Sequence, residues 1–150
     1  MGAFEIVDGS VAGLAEVGEF YDTVGYRGGV SPADTTLIAR GSGRLLGAVR
    51  LCTEGGVIVL RGMQVDPAVQ GKGVGRALLS HCVPYLDRKA AYCVPYDHLA
   101  NFYGRVGFVE TPPELLPEFL AARLAEYVAA NRKTVAMSRL PSWYTHLNQH

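Results

Sequence analysis

No apolar run in this chain approaches the roughly 18 residues that a membrane-crossing helix needs. Asp, Glu, Arg, Lys or Gly interrupts every such stretch in its 150 residues, and no membrane association is expected. An excess of charge of one sign is missing too: 14 Lys and Arg balance 14 Asp and Glu. That balance disfavours a nucleic-acid partner, which would be held by neutralising phosphates. Cysteines are few. Cys52, Cys82 and Cys93 are widely spaced, without a C-x-x-C pair, and no basic and apolar leader precedes them. A reducing, cytoplasmic setting without a metal is expected. Repeats and low-complexity tracts are lacking, which argues against a solenoid. Hydrophobic residues make up 49% of the chain, too many for a disordered one. A chain of this length buries about 70% of its unfolded surface, so one domain is expected, over residues 1–140, with 141–150 as a C-terminal tail.

Glycine is what the chain has in plenty. The 18 glycines are about 12% of the residues, above a usual share of about 7%. Most fall as punctuation between short periodic segments. Strands are predicted at Ala3–Val7, Thr35–Ala39, Leu45–Cys52, Val57–Val65, Ala90–Val94, from Phe108, and at Lys133–Arg139. Helices are predicted after Ser10 on Val11, Leu14, Val17 and Tyr21, from Val74 with Pro84 near the end, at Leu99–Tyr103, and up to about Asn131. The last carries an i, i+4 stripe of Leu116, Leu120, Leu124 and Val128. The nine residues of Val57–Val65 are dense in Val, Ile and Leu, so that strand is read as central and buried on both faces. The fold class is mixed α/β.

The most informative stretch joins that strand to the next helix: Asp66-Pro67-Ala68-Val69-Gln70-Gly71-Lys72-Gly73-Val74-Gly75-Arg76. The first amides of a helix lack intrahelical partners and carry the positive end of its dipole. A glycine loop that admits phosphate oxygens to them is therefore an anion site. Lys72 and Arg76 add positive charge. A Walker loop would need Ser or Thr where Gly73 stands, and a dinucleotide loop begun at Gly71 would need glycine where Arg76 stands. Both fail. The pattern that fits is Gln-x-x-Gly-x-Gly, filled by Gln70, Gly73 and Gly75. It resembles the pyrophosphate loop of the GNAT superfamily of acyl-CoA-dependent N-acetyltransferases. Asn101-Phe102-Tyr103-Gly104-Arg105-Val106-Gly107-Phe108 is similar to the family's later N-x-x-x-F-Y-x-x-x-G-F region, reduced to its core.

The resemblance covers nearly the whole chain and implies a mainly antiparallel central sheet of about seven strands with helices on both faces. It implies that acetyl-CoA is the co-substrate. The amides of Gln70, Gly71, Lys72, Gly73, Val74, Gly75 and Arg76 would hold the pyrophosphate. Met63, Gln64 and Val65, where the fourth and fifth strands splay, would bind pantetheine and the thioester. Asn101 and Tyr103 would lie along the pantetheine arm, with Tyr103 giving a proton to the departing thiolate. The acceptor would be a primary amine, on a small molecule, attacking directly, with Tyr26, Arg27, Arg61, Tyr96, Asp97 and His98 as candidate pocket residues.

Many relatives also carry a glutamate six residues before the strand's last valine, as general base. Here that position is Val59, so the base is unassigned among Glu54, His98, Tyr96 and a water chain. Two rival readings are a covalent acyl-enzyme through Cys93 or Cys82 with His98 or His81, and an acyl-CoA-binding module without turnover. A protein N-acetyltransferase is a further alternative for the acceptor. The helix between the last two strands departs from the family's hairpin and is expected near the acceptor mouth. Its stripe must be buried, on the chain's own sheet or on a second copy. With Trp143 and Tyr144, aromatic types enriched at interfaces, it points to a homodimer.

Overall fold

The computed structural model describes residues 3–144, Val11 by its backbone alone. The predicted tail lies outside the described residues beyond Tyr144. Seven strands, β1 (Glu5–Asp8), β2 (Thr35–Gly41), β3 (Arg44–Glu54), β4 (Val57–Val65), β5 (Ala91–Cys93), β6 (Val109–Glu110) and β7 (Met137–Arg139), form one sheet in the order β1-β2-β3-β4-β5-β7-β6. The pairs β1–β2, β2–β3, β5–β7 and β6–β7 run antiparallel, and β4–β5 runs parallel. The helices are α1 (Leu14–Val24), α2 (Val74–Leu86), α3 (Ala100–Gly104) and α4 (Glu118–Ala129). The expected mixed, mainly antiparallel architecture is the one observed. By its internal contacts the chain divides into two compact units, one running to Thr53 with Leu60–Tyr85, the other Glu54–Val59 with Leu86 onward.

In the first unit, Val17, Phe20, Tyr21, Ile38, Leu45 and Ala48 form a buried cluster under α1. The helix is capped by Gly13, not started at Ser10; Ser10 belongs to a single 3-10 turn that Asp8 caps through its carboxylate. Gly25 ends it at φ +80°, a left-handed cap that glycine adopts without a Cβ clash. The β2–β3 hairpin turns on Ser42 and Gly43, both at positive φ, which matches the twist of the flanking strands. Helix α2 buries Val74, Leu78, Leu79 and Cys82. It approaches β3 so closely that a Cβ on Gly47 would sit 2.9 Å from Leu78 and 3.1 Å from Val74. Pro84 does not stop α2, which continues to Leu86. The carbonyl that loses its helical donor is that of Ser80, an exposed residue, so water can replace the bond.

In the second unit, a turn at Gly55-Gly56, both at positive φ, connects to β4. Ile58 and Val59 pair with Ala91 and Tyr92, while β7 pairs with both β5 and β6. Strand β4 is central as expected, but only Ile58–Leu60 are fully buried; Arg61–Val65 are half-exposed. The last helix corrects the predicted stripe. Leu116 precedes α4, Leu120 is fully buried, Leu124 is half-buried, and Val128 is 58% exposed. Pro117 sets the helix start later than the apolar spacing suggests, since proline fits the start of a helix and not its interior.

Candidate functional site

The loop between β4 and α2 is built by its aspartate. Asp66 Oδ1 accepts from the amide of Ala68 at 2.9 Å and caps a 3-10 turn, Pro67–Val69. Its other oxygen pairs with Arg44, and the amide of Asp66 bonds the carbonyl of Leu46 at 2.8 Å. The hydrogen bond from Arg44, helped by that from the Ala68 amide, holds the Asp66 carboxyl below its ordinary range. Gly71 and Gly73 follow at φ +80° and +88°, a conformation that side-chain-bearing residues rarely adopt. A Cβ at either would meet no atom within 4 Å, so glycine is required there by backbone conformation and the space beside each is open. The carbonyl of Gly73 accepts from Ala77 at 3.0 Å and starts α2. The amides of its first turn, including Val74, Gly75 and Arg76, have no acceptor within the helix by geometry. Gln70, Lys72 and Arg76 are exposed, whereas the side chain of Val74 is buried in the core, leaving only its backbone for a ligand. Gln70 Nε2 reaches back to the carbonyl of Val65 at 3.4 Å.

Met63, Gln64 and Val65 are half-buried on β4. The β4–β5 register covers Ile58↔Ala91 and Val59↔Tyr92. Within the strand Gly62 takes φ +65°, and the Tyr21 hydroxyl donates to its carbonyl at 2.8 Å.

The acceptor-side candidates of this unit separate. Arg27 is exposed; Tyr26 is half-buried, its ring edge-on to Tyr21 at 4.6 Å. Its hydroxyl accepts from Arg50 Nη2 at 3.1 Å. Arg61 is half-buried on β4. Arg50 was not among the sequence candidates. It is 4% exposed, donates to Asp34 Oδ2 at 2.7 Å and to the Gly28 carbonyl at 3.2 Å, and keeps a buried Nε without a partner. The available signal was a lone charge within the apolar run Leu45–Cys52.

In the second unit, Tyr103 on α3 is 5% exposed, its ring edge-on to Phe102 at 5.0 Å and to Phe108 at 6.2 Å. Asn101 on the same helix is exposed. Tyr96 and His98 are exposed with rings 6.0 Å apart and nearly parallel, and the Asp97 amide bonds the Lys133 carbonyl at 2.7 Å. Glu54 is gripped by Arg123 of α4, at 2.7 and 3.5 Å, and Phe119 lies against Gly55. Helix α4 is thus tied to the β3–β4 turn. A carboxylate engaged in that way is poorly suited to act as a base.

The covalent rival loses support from the thiols. Burial pushes Cys82 up to about 12, and Cys93 further still, while His81 is exposed and bonded to the Ala77 carbonyl. Thiols so raised hold almost no thiolate at neutral pH. Among the described residues no group of His, Cys, Asp and Glu is arranged to hold a metal, and no helix is long and apolar enough to cross a membrane.

Comparison with known proteins gives a consistent picture. A family described as an acetyltransferase (GNAT) domain matches residues 32–110. No curated protein sequence matches. Among solved structures, Escherichia coli ElaA is similar at 19% identity and a TM-score of 0.65, over 93% of this chain and 99% of that one. Rv2747 from Mycobacterium tuberculosis, solved in complex with CoA, is similar at 17% identity and a TM-score of 0.68, over 90% and 98%. N-acetylglutamate synthase from Neisseria gonorrhoeae, complexed with CoA and N-acetyl-glutamate, is similar at 18% identity and a TM-score of 0.61 over 93% of this chain. The chain spans about a third, 35%, of that synthase.

Proposed function

We propose that this chain, which belongs to the GNAT family of acetyltransferases, transfers an acetyl group from acetyl-CoA to a primary amine on a small molecule by direct attack. The observation that carries the reading is the pair of left-handed glycines, Gly71 and Gly73, with open space beside each, at the N-terminus of α2. Backbone amides from Gln70 to Arg76 would take the pyrophosphate, with Lys72 and Arg76 adding charge. The amides of Met63, Gln64 and Val65 would hold pantetheine and the thioester, with Asn101 along the arm.

The neutral amine forms the new C–N bond as the C–S bond breaks. The developing oxyanion needs a donor and the thiolate a proton, which Tyr103 would supply. The amine's own proton leaves through His98, Tyr96 or water. Tyr26, Arg27 and Arg61 are the acceptor-side candidates; a substrate carboxylate would suit either arginine through a two-pronged contact. The protein is read as a cytoplasmic homodimer.

Incubating the purified protein with acetyl-CoA and a panel of amines, with thiol release followed, tests the reading. Turnover with at least one amine is expected. A second reading, a CoA-binding module without turnover, is favoured by one observation: Val59, where many relatives carry a glutamate, is 2% exposed and apolar. CoA affinity without any thiol release across the panel would select it.

A further inference from the structure

Gly62 breaks the regularity of β4. A φ of +65° inside a strand turns the local peptide planes away from the ladder, and the carbonyl of Gly62 is met by a side chain: the Tyr21 hydroxyl, at 2.8 Å. Tyr21 is 1% exposed, and burial pushes its phenol far above its ordinary range. It stays a donor at every accessible pH. The site tolerates no other residue, since a Cβ on Gly62 would lie 2.7 Å from Tyr21 Oη and 3.2 Å from the Tyr26 ring. Tyr26 in turn is fixed by Arg50, whose guanidinium also binds Asp34 and the carbonyl of Gly28. A single buried guanidinium therefore links β3 to both ends of the loop between α1 and β2, and two edge-on rings, Tyr26 and Tyr21, link that loop to the irregular point of β4. A buried ion pair adds little net stability compared with apolar packing, and Nε of Arg50 is left unsatisfied. What the network fixes firmly is geometry.

We propose that Tyr21 is a positioning residue for the thioester: by holding the Gly62 carbonyl, it keeps the adjoining Met63 amide out of the ladder and directed at the acetyl carbonyl of acetyl-CoA, with Arg50 and Tyr26 bracing Tyr21 from the acceptor-side loop. The inference rests on the acetyl-CoA reading above. It goes further in that it assigns discrimination between acetyl-CoA and CoA to a phenol that touches neither. CoA lacks the thioester carbonyl, so only the acetylated form gains from the aligned amide.

The test is calorimetry of wild type and Tyr21→Phe with CoA and with acetyl-CoA, and NMR titration of the Met63 amide with each. Wild type is expected to bind acetyl-CoA more tightly than CoA by about fivefold, the worth of one net hydrogen bond, and the Met63 amide to shift with acetyl-CoA alone. Tyr21→Phe should keep CoA affinity within about twofold and lose the preference. A Tyr21→Phe protein that retains the preference overturns the inference, as does a wild type that binds both forms equally. If Tyr21→Phe does not fold, Tyr26→Phe, which removes only the hydroxyl that accepts from Arg50, should reduce the preference and broaden the Met63 amide; an unchanged preference and spectrum again overturn it. Absence of CoA binding by the wild type would instead refute the acetyl-CoA reading itself.

Discussion

Asp87 and Arg139 form the anchor of the chain's last described segment: Arg139 Nη1 donates to Asp87 Oδ1 at 2.8 Å, and Arg139 is 7% exposed. The same carboxylate oxygen accepts from the amide and hydroxyl of Ser142, and the indole of Trp143 donates to the Asp87 carbonyl at 2.9 Å. Arg139 Nε also bonds the Val106 carbonyl at 2.6 Å, so one guanidinium joins Asp87 to the turn after α3.

Asp87→Ala is therefore expected to lower stability by about 2 kcal/mol, or roughly 4–8 °C in Tm, since it leaves a buried guanidinium without its carboxylate. The pH dependence has a definite sign. Burial alone would raise the Asp87 pKa, but Arg139 and Ser142 outweigh it and the net shift is downward. A lowered folded-state pKa means a contribution that is complete above the unfolded value, about 3.9, and lost as pH falls through the folded value. Thermal melts from pH 7 to pH 2 should converge for wild type and variant at the acid end. Parallel curves would detach the stabilisation from this carboxylate.

The glycine loop gives the second prediction. Replacing Gly75 by leucine puts a side chain at the start of α2, and Gly73→Val adds one to a residue at φ +88°. Several charge-assisted bonds to the pyrophosphate should weaken together, at a cost of about 2 kcal/mol or more in CoA affinity. Gly73→Val carries about 1 kcal/mol of backbone strain in addition, so Gly75→Leu is the cleaner variant. Calorimetry on folded protein decides, and unchanged affinity for both would remove the loop from CoA binding.

How far these features were legible in the sequence depended on their range. The loop at Gln70–Gly75 was readable because its requirement is local: backbone conformation at Gly71 and Gly73, a helix after, a strand before. The succession of strands and helices along the chain followed from alternating short segments, but their order in the sheet did not: β7 enters between β5 and β6, a long-range pairing that no local pattern marks. Arg50 was missed because its partners, Asp34, Tyr26 and Gly28, lie 16 to 24 residues away and nothing local marks a guanidinium as buried. Glu54 was kept as a base candidate because its ion pair with Arg123 spans 69 residues. The Leu116 to Val128 stripe was overextended because spacing alone does not register that Pro117 sets the helix start.

Tyr103→Phe should lower turnover by a hundredfold to ten-thousandfold, in the range of general acid catalysis, with acetyl-CoA affinity nearly unchanged. The substitution suits the site, because phenylalanine keeps the edge contacts with Phe102 and Phe108. Steady-state kinetics with a productive amine, alongside calorimetry, separates the two effects. Wild-type turnover would make Tyr103 a packing residue and leave the thiolate to solvent.

Glu54→Gln should leave turnover within about twofold and cost no more than roughly 1 kcal/mol of stability, the usual worth of a partly exposed pair. Its carboxylate is engaged by Arg123 at 2.7 Å. A loss of a hundredfold or more in kcat, with stability intact, would return Glu54 to the role of base.

Self-association is the last prediction. Burial of Leu120 satisfies only part of the apolar surface late in the chain: Leu115 is 71% exposed, Val128 58%, Leu140 52%, Trp143 54% and Tyr144 42%. The Trp143 nitrogen is already bonded to the Asp87 carbonyl, which fixes one edge of a side chain that is still 54% exposed. An aromatic held rigidly and half exposed loses little side-chain entropy on docking, which is why such residues serve interfaces. A homodimer of the full chain is expected in sedimentation at micromolar concentration. A chain ending at Leu140 loses Ser142 and Trp143, and with them three of the hydrogen bonds at Asp87, so it should be both less stable and shifted toward monomer. Monomers at all concentrations for both forms would mean that Trp143 and Tyr144 cap their own chain and nothing more.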